Sequence, residues 1–178
     1  MTAARELNSQ RVDEAGFRAC MRLLPTGVSL LTAGTGADVI GMTVNSVVSV
    51  SLTPPTLLVS VHRQARLTAV APVGAAFTVG FLGGDEILLS RQFAAATRPV
   101  GAAAVAAMAG RPGSTGVPVP GHALGVVECV VREVFPVGDH VLLIGAVVNA
   151  EAAGHGRVPQ IFYQGELLAG DVRTGRTG

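Results

Sequence analysis

Gly41-Met42-Thr43-Val44-Asn45-Ser46-Val47-Val48-Ser49-Val50-Ser51-Leu52-Thr53-Pro54-Pro55-Thr56-Leu57-Leu58-Val59-Ser60-Val61 is two β-type runs hinged on a proline pair. Apolar and polar residues alternate from Met42 to Asn45, and the phase then slips through Ser46, Val47, Val48, Ser49, Val50 and Ser51. Alternation of period two marks a strand, and the slip marks a bend or bulge near residues 46–48. A bent strand frees backbone N–H groups. With the hydroxyls and amide of Thr43, Asn45 and Ser46 beside them, these can hold a planar polar ring or a phosphate. The same residues equally suit a half-exposed edge strand, because Ser and Thr sit well on a pleated surface. The stretch by itself leaves both readings open.

Composition narrows the class. A chain of 178 residues, 49% hydrophobic and only 14% charged, can bury a sizeable core and has the length of one domain. Mean hydropathy of +0.50 leaves more apolar surface than a monomer hides, so a homodimer is expected. A net charge of +1, with no basic cluster interleaved with aromatics, argues against a nucleic-acid partner. Cys20 and Cys129 lack metal-ligand spacing and read as small buried apolar residues. Residues 1–10 lack the apolar centre of a signal peptide, and no apolar run reaches the length of a membrane span. A cytoplasmic protein is expected. The preference for Ala, Gly, Val and Arg over Lys resembles that of a GC-rich bacterial genome.

In chain order, residues 1–12 read as a flexible lead and 171–178 as a flexible tail around one domain, 13–170. Asp13 is placed to cap an amphipathic helix over 14–23, carrying Phe17, Cys20 and Met21 and stopped by Pro25. Strands are expected over 28–33 and 39–51, joined by a glycine-rich turn, then over 56–61 and 75–82. Asp85 is the expected cap of a helix reaching residue 95. A second short helix over 100–108 precedes a long loop. The longest β-type runs, 123–134 and 140–150, are joined by Phe135-Pro136-Val137-Gly138-Asp139, with Glu128 read as facing outward. A short hairpin closes the chain, turning at Gln164-Gly165. Mostly consecutive strands without βαβ alternation point to a mainly β antiparallel barrel with a few peripheral helices. Gly34-Thr35-Gly36 lacks the third glycine and the following helix of a dinucleotide fold, and no Walker, HExxH or GxSxG motif is present.

Gly27-Val28, the run Gly41 to Ser46, Ser49 to Leu52 with Pro54-Pro55, Phe77-Thr78-Val79, Phe93-Ala94, Glu128-Cys129 and Gly138-Asp139-His140 stand in the order seen in the short-chain flavin reductases. Over residues 17–163 the chain resembles that family, the reductase components of two-component flavin-dependent monooxygenases with a split-barrel FMN-binding fold. The resemblance implies that Thr43, Val44, Asn45 and Ser46 meet the ring and ribityl of FMN or FAD. It gives Ser49, Val50 and Ser51 backbone contacts, places His62, Arg63 and Arg66 at the phosphate, and puts Gly83, Gly84 and Phe93 close by. Gly138 and Asp139 would shape the turn that lets His140 stack on the nicotinamide of NADH or NADPH. The implied reaction is hydride transfer from NAD(P)H to flavin, with reduced flavin passed to a monooxygenase.

The chain departs from the family at several places. Gly80 stands where the family often has Asn, Thr53 where Asp is frequent, and Ala65 and Leu67 where Ser or Thr help bind phosphate. The last two departures would shift the phosphate load to Arg63 or Arg66. Two other classes remain open at this point. One is a flavin-holding split-barrel protein without NAD(P)H turnover, like the pyridoxamine-phosphate-oxidase group; the other is a non-catalytic ligand-binding dimer.

Overall fold

A computed structural model describes residues 13–153 and 156–170. The expected lead 1–12 and tail 171–178 lie outside the described residues. Asp13 caps α1 (Glu14–Met21), its carboxylate accepting from Ala15 N at 3.1 Å. No residue of α1 is buried. Cys20 is therefore exposed where a core position was expected, while Cys129 is buried as expected.

The strands follow as β1 (Thr26–Gly27), β2 (Ser29–Ala33), β3 (Ile40–Val44), β4 (Val47–Leu52), β5 (Pro55–His62), β6 (Ala76–Phe81), β7 (Arg111–Pro112), β8 (Pro118–Val119), β9 (Gly125–Val137), β10 (His140–Ala152), β11 (Gln160–Tyr163) and β12 (Glu166–Ala169). Between them lie α2 (Leu67–Val70), α3 (Ile87–Ala94) and α4 (Gly101–Ala107), with a 3₁₀ turn at Gly36–Asp38. Seven strands form one antiparallel sheet in the order β3-β2-β6-β9-β10-β5-β4.

The expected single strand over 39–51 is two, β3 and β4, and they are the opposite edges of this sheet. In a flat sheet six inter-strand spacings would hold the edges about 29 Å apart. Only Asn45 and Ser46 connect Val44 to Val47, a reach of about 10 Å at most. The sheet must therefore curl until its edges face each other. The barrel is split at that seam, because β3 and β4 do not pair.

Its interior is filled by Leu31, Val59, Phe77, Cys129, Val131 and Leu143, with Leu67 and Ala71 plugging one side. A second cluster, Leu30, Leu82, Phe93, Ala104 and Met108, lies under α3 and α4 outside the barrel. β2 has apolar partners on both faces and is buried along its whole length. Gly145 faces Phe77, and a Cβ there would stand 2.5 Å from its Cζ and 2.8 Å from Cys129 Cβ. Gly80, the departure from the family pattern, is covered by Pro120, whose Cγ would be 2.6 Å from an added Cβ.

Three further expectations are corrected. Asp85 does not cap α3: Glu86 occupies the cap position without a side-chain cap bond, and Asp85 instead accepts from Arg157 Nη2 at 3.0 and 3.1 Å. The linker 135–139 shrinks to Gly138-Asp139, because Phe135, Pro136 and Val137 continue β9. Glu128 faces inward and is only 1% exposed. Its carboxylate accepts from Ser114 N, Thr115 N and Thr115 Oγ1 at 3.0 Å and from Asn149 Nδ2 at 2.8 Å. Sequence alternation around Val127 and Cys129 hid this, since the carboxylate is buried against a loop. That carboxylate ties the β7–β8 segment to the sheet, so the expected long loop carries a two-stranded ladder of its own.

Burial alone would raise the Glu128 pKa, but the bonds from Asn149, Ser114 and Thr115 outweigh it and hold the carboxyl at about 2. A depressed pKa contributes stability that is full above the ordinary carboxylate value and is lost as pH falls from about 4.5 toward 2. The difference corresponds to about 3 kcal/mol. Denaturant titrations of wild type and Glu128→Gln are expected to diverge at pH 7 and to converge as the pH approaches 2; a constant gap would contradict the assignment. Gly145→Val is expected to cost roughly 1–3 kcal/mol by overpacking. Gly16→Ala, with nothing within 4 Å of the added Cβ, is expected to stabilise α1 by up to about 1 kcal/mol; equilibrium unfolding checks both.

Candidate active site

Edge strands carry unpaired backbone N–H and C=O groups, and the seam places two of them side by side. β3 is partly covered at its start by an isolated bridge from Ile40 to Val100. From there to the bend, its side chains alternate in the expected way. Val44 points into the core at 7% exposure, while Thr43 and Asn45 point outward. Thr43 Oγ1 donates to Ser90 O at 2.7 Å, which anchors the strand to α3. Asn45 Nδ2 donates to Thr26 Oγ1 at 3.2 Å. Ser46 closes the bend on β5: its Oγ donates to Ser60 O at 2.6 Å and its carbonyl accepts from Ser60 N at 3.2 Å.

Asn45 is the common wall of three clefts. One, of about 350 Å³, is lined by Thr43, Ser90, Arg91, Phe162 and Glu166. A second, of about 360 Å³, runs past Ser29, Val47, Ser49 and Phe81. The third, of about 670 Å³, opens toward Arg18, Met21 and Val48. Ser49 and Val50 are exposed on β4, whereas Ser51 is half-buried and accepts from Thr53 N at 3.1 Å. Beneath the first cleft Ser90 Oγ bonds Gln160 Oε1, and Gln160 Nε2 is buried without a partner.

A second group meets the bend from β5 and β10. His140 and His62 face each other across the ladder, rings 5.5 Å apart in an edge-to-face arrangement. His62 lies two residues beyond Ser60, about 7 Å along the strand, so this pair and the bend share one end of the barrel. Gly138, at φ 57°, makes the tight turn that a side chain would strain. Arg63 N donates to Asp139 O at 2.9 Å and pins the turn to β5. Asp139 Oδ1 lies 2.7 Å from His140 Nδ1, and its Oδ2 lies 3.9 Å from His62 Nε2. Gln64 N donates to His62 Nδ1 at 3.2 Å, so the proton of the neutral ring sits on Nε2 and faces Asp139. The bond to His140, foremost, lowers the Asp139 pKa. An ionised carboxylate only accepts, so His140 carries hydrogen on Nδ1 and presents Nε2 outward.

The structure thus brings Thr43, Asn45, Ser46, His62, Arg63, Asp139 and His140 to one end of the barrel, while Ser49, paired with Leu57, lies farther along β4. Other sequence candidates are engaged elsewhere. Gly83 N donates to Glu86 Oε2 at 2.8 Å and Gly84 N to Val158 O at 2.8 Å, so both amides are spent within the fold. Phe93 is fully buried in the outer core, its ring 2.6 Å from where a Gly41 Cβ would lie, so it packs α3 against β3. Ser90, Arg91, Phe162 and Glu166 were not legible as site residues. Only knowledge that α3 packs on β3, and that the terminal hairpin returns to the bend, could have found them.

The flavin reductase like domain model matches residues 21–170. An NADH-dependent FMN reductase of Streptomyces nodosus subsp. asukaensis is 39% identical over 152 residues, covering 84% of this chain and 80% of the relative. The reductase component of 4-hydroxyphenylacetate 3-monooxygenase from Thermus thermophilus is 30% identical over 148 residues, covering 83% and 91%. Among solved structures, BorF, the flavin reductase component of a bacterial two-component tryptophan halogenase, superposes with a TM-score of 0.79 at 30% identity, covering 89% of this chain and 99% of that one.

Asp139→Asn is expected to release the His140 tautomer. Long-range proton–nitrogen spectra should show His140 Nδ1–H alone in wild type and a mixture of Nδ1–H and Nε2–H in the variant; an unchanged ring would remove Asp139 from this role.

Proposed function

The chain belongs to the flavin reductase family, and we propose that it is an NADH-dependent reductase of FMN or FAD that supplies reduced flavin to a partner monooxygenase. The observation that carries the reading is the convergence of the β3–β4 bend with the Gly138-Asp139-His140 turn at one end of the split. The residues fit a flavin. The two edges of the sheet offer amides to a planar heterocycle, the clefts around Asn45 are mixed polar and apolar, and the side chains of Arg91 and Arg18 line the first and the third of them.

When bound, flavin supplies an acceptor at N5 for the hydride that nicotinamide C4 gives up. The chain's part is positional and electrostatic. Backbone N–H groups at the bend would donate to the bound flavin where negative charge gathers, and Ser46 and Thr43 hold the bend through Ser60 and Ser90. His140, oriented by Asp139, would offer Nε2 to the nicotinamide carboxamide. No side chain is needed as acid or base for the hydride step.

The same reading includes a homodimer in the cytoplasm, where NADH is made. Exposed Val48, Val50 and Leu52 along β4, and Phe17, Met21 and Leu24 on or beside α1, support self-association. A monomer would leave these against water, with Met21, Leu24 and Val48 lining the third cleft.

Anaerobic mixing with FMN or FAD and then NADH is expected to bleach the flavin band near ~450 nm. His140→Ala is expected to slow the bleaching by roughly tenfold to a hundredfold with flavin affinity little changed. Flavin binding without bleaching would leave a flavin carrier, and no binding would refute the reading. Val48→Glu with Val50→Glu is expected to shift the sedimentation coefficient from dimer to monomer.

A further inference from the structure

His62 stands at the end of β5, where the family resemblance puts a phosphate contact, yet its imidazole is engaged elsewhere. The turn that follows holds the residue twice: Ala65 N donates to its carbonyl at 2.8 Å and Gln64 N to its Nδ1 at 3.2 Å. With Nδ1 accepting, the neutral ring has one hydrogen to give, on Nε2. That nitrogen lies 3.9 Å from Asp139 Oδ2, an electrostatic contact and not a hydrogen bond. The ring also lies edge-to-face with that of His140, its direct partner in the β5–β10 ladder, at 5.5 Å.

His140 needs such a neighbour because its own support is slight. Among the described residues its side chain has one hydrogen-bond partner, Asp139 Oδ1 at 2.7 Å, and that partner is the residue before it in the chain. The Asp139 side chain is 75% exposed. A solvated carboxylate held by a single bond keeps most of its rotamer freedom, and an imidazole hung on it shares that freedom. His62 gives the second oxygen a partner and fills the β5 side of the His140 ring. One carboxylate then spans two rings, one carried by each strand of the ladder.

Resting on the reductase reading, we infer that His62 is a positioning residue for the hydride step: through Asp139 and through ring contact it holds His140 in the tautomer and orientation that meet a dihydronicotinamide, and it takes no part in binding the flavin phosphate. Its effect on the reaction runs through His140.

The test uses the full chain, with thermal unfolding as the folding control. Anaerobic bleaching gives kcat/KM for NADH, and flavin fluorescence gives dissociation constants for FMN and riboflavin. His62→Ala is expected to lower kcat/KM for NADH by about threefold to tenfold and to change both flavin constants by less than about twofold. His62→Gln, which keeps a terminal N–H donor, should recover part of the loss. In a His140→Ala background, His62→Ala should add less than about twofold, because a residue that acts through another has nothing left to act on. Long-range proton–nitrogen spectra of ligand-free His62→Ala should show His140 as a mixture of Nδ1–H and Nε2–H, where wild type shows Nδ1–H. A His62→Ala variant that weakens FMN but not riboflavin would return His62 to the phosphate and overturn the inference. So would an unchanged kcat/KM, an equal loss with and without His140, or an unchanged His140 ring. Wild type that binds flavin but does not bleach it with NADH would refute the reductase reading instead, and the ring spectra would then decide by themselves whether His62 holds His140.

Discussion

Two residues, Asn45 and Ser46, set the shape of the whole molecule. They are too short a link to join the edges of a flat seven-stranded sheet, and because β3 and β4 are those edges, the sheet has to close on itself. Closure without pairing leaves a seam whose walls are unsatisfied backbone. Such a seam is a liability in a protein that binds nothing and an asset in one that must grip a flat, polar heterocycle. Ser60 bonds both the hydroxyl and the carbonyl of Ser46, so the bend is held by β5 and does not depend on the ligand.

Two tight constraints keep the seam in place. Inside, Gly145 lets the Phe77 ring lie against β10, and the pairing of β9 with β10 slips at that point. Outside, Glu128 is a charge stripped of water and kept ionised by four donors from a loop and from β10. Neither group touches the candidate site, yet both fix the strands that carry it. His140 is placed by β10, and β10 is aligned by Gly145, Asn149 and the partners of Glu128. The turn at the other end of β10 is correspondingly short, and it can aim the imidazole only because Arg63 N and Asp139 hold it.

Much of this was legible in the residues. Period-two alternation and the slip after Asn45 located the bend, and consecutive strands pointed to an antiparallel barrel. Family-like runs mark Thr43 to Ser46 and Gly138 to His140 within the sequence itself. What was not legible depended on contacts between distant segments. A run of 13 β-type residues does not reveal that its halves pair with different partners, and Glu128 between Val127 and Cys129 looks solvent-facing until the β7–β8 segment is seen to cover it. Gly83, Gly84 and Phe93 carry suitable chemistry but are consumed by packing.

The order of pairing also bears on how the molecule assembles. β9 and β10 are 13-residue strands joined by two residues, so their ladder is the most local large structure in the chain and pays the least loop-closure entropy. β5 and β6 can add to its two sides, followed by β2 and the outer edges. The edges β3 and β4, which have a strand partner on one side each, are the ladder's outermost members, so their amides should exchange with solvent through local opening while the β9–β10 ladder stays protected. Entry and departure of a ligand would then use the same weak line along which the barrel finishes folding, without unravelling the strands behind it.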